Sequence, residues 1–319
     1  MKLKILFLFL VLPLVVLGFL LIPVNPQESL RQGVARNAAL HTDLSSFPAA
    51  SPVKPVDLLF IHHSCGGQLL AEPGPDSHTN AIYTTSPNAG GLRALLEKNS
   101  YVVHEASYGS AVGEHTDLFD WLPKFRDQMQ DVLAVDSQDR RLPDGRRNRV
   151  VVFKSCYPNN AFVAEGASPG NPAGPELTLW NAKASFTALL EEFKKHPDVL
   201  FICVTAPPLA PKQPKQALWK VLAKKALGRY RNPADSAAVA RQFNDWLASP
   251  DGWLGNSSLT NVAVFNYYDI LTGCGASDVS IYATGNGMDS HPSAEGNGKA
   301  AEEFVPFLNR ALHRAGLQH

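Results

Sequence analysis

Five short apolar runs, each giving way to small or polar residues, set the tightest limit on how this chain folds. They are Val56–Ile61, Tyr101–Ala106, Arg149–Lys154, Val199–Val204 and Asn261–Asn266. Runs such as Val150-Val151-Val152-Phe153 lack polar alternation, which suits strands buried on both faces of a parallel sheet. Between them lie stretches with apolar residues at helical spacing: Gly90–Lys98, Leu118–Val135 interrupted by Pro123, Leu177–His196 closed by Pro197, and Ala234–Leu247. A further helix is expected over Gly296–Ala315. Asp136–Arg149 reads as a charged loop and Ala161–Pro175 as a Gly/Pro/Ala loop. Strands and helices in alternation predict an α/β fold, a three-layer α/β/α domain around a parallel sheet of about five strands.

Composition sets outer bounds. The chain has 319 residues, 45% hydrophobic and 18% charged, enough for one large domain or two small ones. Its 29 basic and 29 acidic residues cancel and form no long charged tail, so no nucleic-acid partner is expected. Lys2 and Lys4 precede an apolar run from Ile5 to Val24, so residues 1–25 read as a signal anchor or a signal peptide. The run is longer than the usual apolar core of a cleaved signal, about 7 to 15 residues, and no clear A-x-A site follows it. An uncleaved transmembrane helix is therefore the first reading, with a cytoplasmic N-terminus. Either reading makes the remainder extracytoplasmic, and the first gives it a membrane partner. Pro26–Pro55 is expected to be a linker with one short helix over Glu28–Leu40, and the folded domain is expected over 56–319. The four cysteines lack C-x-x-C spacing, so a zinc site is not expected. Cys203 lies within a strand and should be an inert buried thiol. A bridge, if formed, would join two of Cys65, Cys156 and Cys274.

Ligands of open parallel sheets bind beyond the carboxyl ends of the strands. Ser64, Gly109, Asn159, Thr205 and the loop after Asn266 all fall there. Ser64 lies in His62-His63-Ser64-Cys65-Gly66-Gly67, directly after the first strand. Asp289-Ser290-His291-Pro292 lies near the other end of the chain. A serine hydroxyl becomes a nucleophile when a base takes its proton; His291 is the candidate base and Asp289 the candidate orienting carboxylate. An acyl-transfer site also needs donors for an oxyanion, and Ser64 N–H, Gly109 N–H and the Asn159 amide are the candidates, with Asn160 as an alternative. Each has a plainer reading: a helix-capping serine, a turn glycine, a turn asparagine, a turn aspartate. His62 and His63 stand outside the triad. A metal site combining them with Asp289 and His291 ranks below it, because adjacent histidines rarely present both rings to one ion. No cofactor is expected.

These residues resemble the SGNH/GDSL-type serine hydrolase superfamily, which carries a serine after the first strand, a glycine after the second, an asparagine after the third and a histidine in a late Asp-x-x-His. Ser64, Gly109, Asn159 and His291 take those places. The chain is most similar to an SGNH-like group of exported proteins with the strings HHS, KSCYPN, TAPP and DSHP-x-x-x-GN, all present here. It departs from the wider superfamily at Gly-Asp-Ser-Leu, replaced by His62-His63-Ser64-Cys65, and at Gly-x-Asn-Asp, replaced by residues 155–159. The acid also stands two residues before the histidine instead of three, a place held here by Met288. The resemblance implies a flavodoxin-like SGNH fold and hydrolysis of a carboxylic ester, often an acetyl group on carbohydrate. Three alternatives remain open at this point: an O-acyltransferase acting on an envelope glycan, a non-catalytic glycan-binding domain, and a metal-dependent hydrolase. Two further stretches stand apart: Ser86–Gly91 reads as a turn, and Lys212–Arg231 as a basic amphipathic helix, either a lid or membrane contact or a solvated surface helix.

Overall fold

The computed structural model describes residues 44–212 and 232–319. The apolar N-terminal run, the helix expected over Glu28–Leu40 and nearly all of the basic stretch lie outside the described residues. Among the described residues no helix is long and apolar enough to cross a membrane.

The chain enters through β1 (Val56–Ile61) and α1 (Ser64–Leu70), then forms three short strands, β2 (Glu72–Pro73), β3 (Ser77–Thr79) and β4 (Ile82–Ser86). Next come α2 (Leu92–Lys98), β5 (Tyr101–Ala106), α3 (Trp121–Asp127), α4 (Met129–Ala134), β6 (Val135–Ser137), β7 (Arg140–Arg141) and β8 (Val150–Lys154). The second half holds α5 (Leu179–Lys194), β9 (Leu200–Val204), α6 (Pro233–Ala248), β10 (Val262–Phe265) and α7 (Tyr267–Leu271). It ends with β11 (Ala283–Thr284), β12 (Asp289–Pro292) and α8 (Ala294–Arg314).

The main sheet has seven strands in the order β10-β9-β8-β1-β5-β6-β7. Every pairing is parallel except β6 with β7 at the edge. The five long strands, taken in chain order, stand as 2-1-3-4-5, the flavodoxin-like arrangement. Winding reverses between β1 and β8, which makes their carboxyl ends the topological switch point where open sheets of this kind bind ligands.

Alternate residues of each strand enter opposite cores, so both faces are dry. Leu59, Ile61, Val151, Phe153 and Phe201 meet Trp121, Phe125, Phe186 and Phe243 on one side. Leu58, Phe60, Val150, Val152 and Ile202 meet Leu69, Leu96, Phe304 and Leu308 on the other. This two-sided burial is why the strands read as continuous apolar runs.

Three sequence expectations change. The helix expected over Leu118–Val135 breaks at Gln128 (φ −123°, ψ 14°) into α3 and α4, while Pro123 sits harmlessly in the first turn of α3. The charged loop after it contributes β6 and β7. Residues 44–55, expected to be linker, belong to the domain. Leu44 is buried in the core, Arg310 donates to the carbonyls of Ser45 and Phe47, and Asn309 donates to Ala49 O.

Candidate active site

The chain leaves β1 and turns within two residues into α1, with His63 extended (φ −117°, ψ 178°) and Ser64 opening the helix. Gly66 makes so sharp a turn feasible: a Cβ there would lie 2.4 Å from the Cβ of His62. The turn sets Ser64 at the carboxyl end of β1, beside β8, at the switch point.

His291 reaches it from the far end of the chain. Its Nε2 lies 3.1 Å from Ser64 Oγ, and its Nδ1 lies 2.7 Å from Asp289 Oδ1. The same carboxylate oxygen accepts the His291 backbone N–H at 3.0 Å. The two-residue spacing works because Asp289–Pro292 is strand β12, and alternate residues of a strand point to one face. A carboxylate three residues before the histidine would face away; Met288 is exposed there. The intervening Ser290 points inward, and its Oγ accepts the Ala210 N–H at 2.9 Å, fixing the strand to the segment after β9. Partial burial works against the Asp289 charge, but the hydrogen bonds from the His291 backbone and ring outweigh it and hold the carboxyl below its ordinary pKa. Tyr157 packs edge-on against the His291 ring at 5.2 Å.

The other expected donors are occupied. Gly109 adopts φ +84°, which favours glycine, but its N–H donates to Glu114 Oε1 at 2.6 Å. The Asn159 amide donates to Asp117 Oδ1 (2.8 Å) and Cys156 O (3.3 Å), and its carbonyl accepts the Leu118 N–H at 2.7 Å. Asn159 therefore braces the loop before α3 in place of facing an oxyanion. Asn160 is equally committed: its amide donates to the carbonyls of Ala206 and Pro207 and its Oδ1 accepts from Asn244. Among the described residues no acceptor takes the Ser64 N–H, so it alone of the three expected donors is available. Thr205 is structural too, its hydroxyl accepting the Tyr268 N–H at 2.8 Å.

The two histidines before the serine separate as strand alternation requires. His62 is fully buried, with Nε2 2.9 Å from Glu105 Oε1, and Arg93 neutralises the other oxygen of that carboxylate. Burial first, then the nearby Lys154, push its pKa down to about 3. His63 donates from Nε2 to Gly113 O at 2.9 Å and stacks on Tyr108 with ring centroids 3.5 Å apart. His62 is thus spent inside the fold. Among the described residues no three His, Cys, Asp or Glu side chains gather as metal ligands do.

The sequence singled out neither Glu114 nor Asp117; of the three cysteines it held as candidates for a bridge, Cys65 and Cys156 meet behind the serine. Among the described residues, which include all four cysteines, there is no disulfide; Cys203 is buried in β9, where burial raises its pKa. Cys156 Sγ, however, lies 3.5 Å from both Ser64 Oγ and Cys65 Sγ. The adjacency of Cys65 to Ser64 was the available signal, but its partner comes from another strand end.

No family model matches the chain, and no curated protein matches it in sequence. Among solved structures, the crystal structure of a carbohydrate esterase family 2 enzyme with a carbohydrate-binding domain, from Corynascus thermopiles (Myceliophthora fergusii), is similar at a TM-score of 0.39. Identity is 13%, over 82% of this chain and 67% of that one. So remote a likeness carries no weight for the chemistry of this chain.

Proposed function

We propose that the protein is an exported SGNH-like serine ester hydrolase that forms an acyl-enzyme on Ser64. The observation that carries this reading is the unbroken hydrogen-bonded chain from Ser64 Oγ through His291 to Asp289, at the switch point of a flavodoxin-like sheet. His291 Nε2 takes the hydroxyl proton as Ser64 Oγ attacks the ester carbonyl carbon. Asp289 keeps the other ring nitrogen protonated and stabilises the imidazolium. That imidazolium protonates the departing alkoxide, and water, deprotonated in turn by His291, releases the acid. The Ser64 N–H serves the oxyanion, joined by Gly109 N–H once Glu114 gives way to substrate. Acetylated carbohydrate is the substrate class that the four sequence blocks suggest. The apolar run from Ile5 to Val24 supports anchoring at the outer face of a membrane.

The test is hydrolysis of an acetyl ester with labelling by an organophosphonate. Wild type should turn over the ester and take one label on Ser64; Ser64→Ala should do neither. Full esterase activity in both Ser64→Ala and His291→Ala would falsify the mechanism. Adding an acceptor glycan separates hydrolysis from acyl transfer, which leaves the acyl group on the sugar.

One observation favours a second reading, a glycan-binding domain without catalysis: two of the three expected oxyanion donors are engaged by Glu114 and Asp117. Glycan binding with no phosphonate label on the intact protein would establish it.

A further inference from the structure

The dithiol behind the serine has no part in the triad, yet it touches the nucleophile. Cys65 follows Ser64 directly at the start of α1, and Cys156 lies in the loop after β8. Their sulfurs are 3.5 Å apart, and Cys156 Sγ is also 3.5 Å from Ser64 Oγ. The ammonium of Lys154 is buried at the same place: its side chain passes beneath Gly66, and Nζ donates to Ser155 O at 3.2 Å. The two thiols differ in access. Cys65 is wholly buried, whereas Cys156 keeps 8% of its surface exposed.

We propose that Cys65 and Cys156 form a reversible disulfide that switches the Ser64 nucleophile off. The proposal rests on the reading of Ser64 as the nucleophile.

The chemistry follows from burial and charge. Contact with Cys65 first, then the Lys154 charge, lowers the Cys156 pKa against the opposing effect of burial. Burial raises that of Cys65. Cys156 is therefore the entering thiolate and Cys65 the resolving thiol. The oxidant is a low-molecular-weight disulfide. The Cys156 sulfur attacks one of its sulfurs, forming a mixed disulfide and releasing one thiolate. The Cys65 sulfur, its proton lost, attacks Cys156 Sγ and releases the second. Two thiols of the protein are oxidised, one small disulfide is reduced to two thiols, and the two protons pass to them.

The effect on Ser64 is geometric. A disulfide is about 2.05 Å long, so closing the bond draws together two sulfurs now 3.5 Å apart. One belongs to the residue after Ser64 and the other is in contact with Ser64 Oγ. The thiol hydrogens are lost as well. A displacement of the order of 1 Å at a nucleophile costs roughly a hundredfold in rate.

The experiment uses the full chain and oxidised glutathione as the disulfide. Peptide mapping should show Cys65 linked to Cys156 with the loss of two hydrogens. Phosphonate labelling of Ser64 should slow by about a hundredfold and recover with dithiothreitol. Cys65→Ala should instead stop at a glutathione adduct on Cys156; should that variant fail to fold, the wild-type cross-link and its reversal decide alone. A folded protein that never links the two cysteines overturns the proposal, as does a linked protein that labels at the reduced rate. If the reduced protein does not label at Ser64 at all, the hydrolase reading falls and the switch with it, whether or not the cross-link forms.

Discussion

The carboxyl edge of the sheet holds two groups of residues that looked equally poised in the sequence, and they have met different fates. Ser64, His291 and Asp289 join into one hydrogen-bonded chain with Asp289 facing solvent. Gly109 and Asn159 stand at the expected strand ends but are bonded to Glu114 and Asp117. Being at the right place is enough for a side chain that must meet one partner. It is not enough for a donor that must be left unpaired, because any nearby carboxylate competes for it. The assembled pair is ready to react, whereas the donors must first be released.

The largest effects should come from breaking the assembled group. Ser64→Ala or His291→Ala should lower ester turnover by roughly a million-fold, measured as kcat with an acetyl ester. Loss of less than tenfold would reduce the pair to a structural contact. Asp289→Asn should cost about a hundredfold in kcat, less than for a buried orienting acid, because the Asp289 side chain is 49% exposed and water can partly replace it. An unchanged rate would show that the backbone alone orients His291.

Asn159→Ala tests the occupied group. It leaves the Leu118 N–H and Asp117 without their partner and should lower stability by about 2 kcal/mol, read by chemical denaturation. Loss of kcat with unaltered stability would return Asn159 to the oxyanion. His62 probes the scaffold beneath the serine. The unfolded chain gains a proton near pH 6.5, while folded His62 resists protonation until about 3. The folded state thus binds fewer protons between these values. Its contribution to stability is fully present above pH 6.5 and lost as pH falls toward 3, at up to about 1.4 kcal/mol per pH unit. Denaturation midpoints at pH 7, 5 and 4 should show this slope, and His62→Gln should flatten it.

The smallest change should come from Glu114→Gln. Removing the carboxylate charge loosens its hold on the Gly109 N–H, and kcat/KM should rise by about threefold, a fraction of the full value of one oxyanion donor. No change would make Gly109 a turn glycine alone.

Much of this comparison was readable in advance, for identifiable reasons. Val150–Phe153 could be recognised as a doubly covered strand because all its residues are apolar, and Ser64 could be set at the sheet edge because it follows the first such run. The β2-β3-β4 sheet was not legible: its strands are short, and β2 and β3 are exposed on both faces, so they carry no apolar period. The packing of residues 44–55 on α8 was hidden by their Ala, Ser and Pro content, since much of what holds them is carbonyls accepting from Arg310 and Asn309. Asp289 lay on the right face of β12 although its spacing departs from the related pattern, a fact that depends on strand geometry and not on residue type.

The sequence by itself determined the layers, the parallel sheet and the edge where Ser64 stands, because hydrophobic periodicity and turn residues act locally. Only the tertiary structure decided that His291 reaches Ser64, that Glu114 and Asp117 hold the expected donors, and that Cys156 meets Cys65. These are contacts between residues far apart in the chain. Their partners are chosen by how the strand ends converge, and hydrogen bonds and thiol contacts depend on differences of an ångström that no spacing along the chain records.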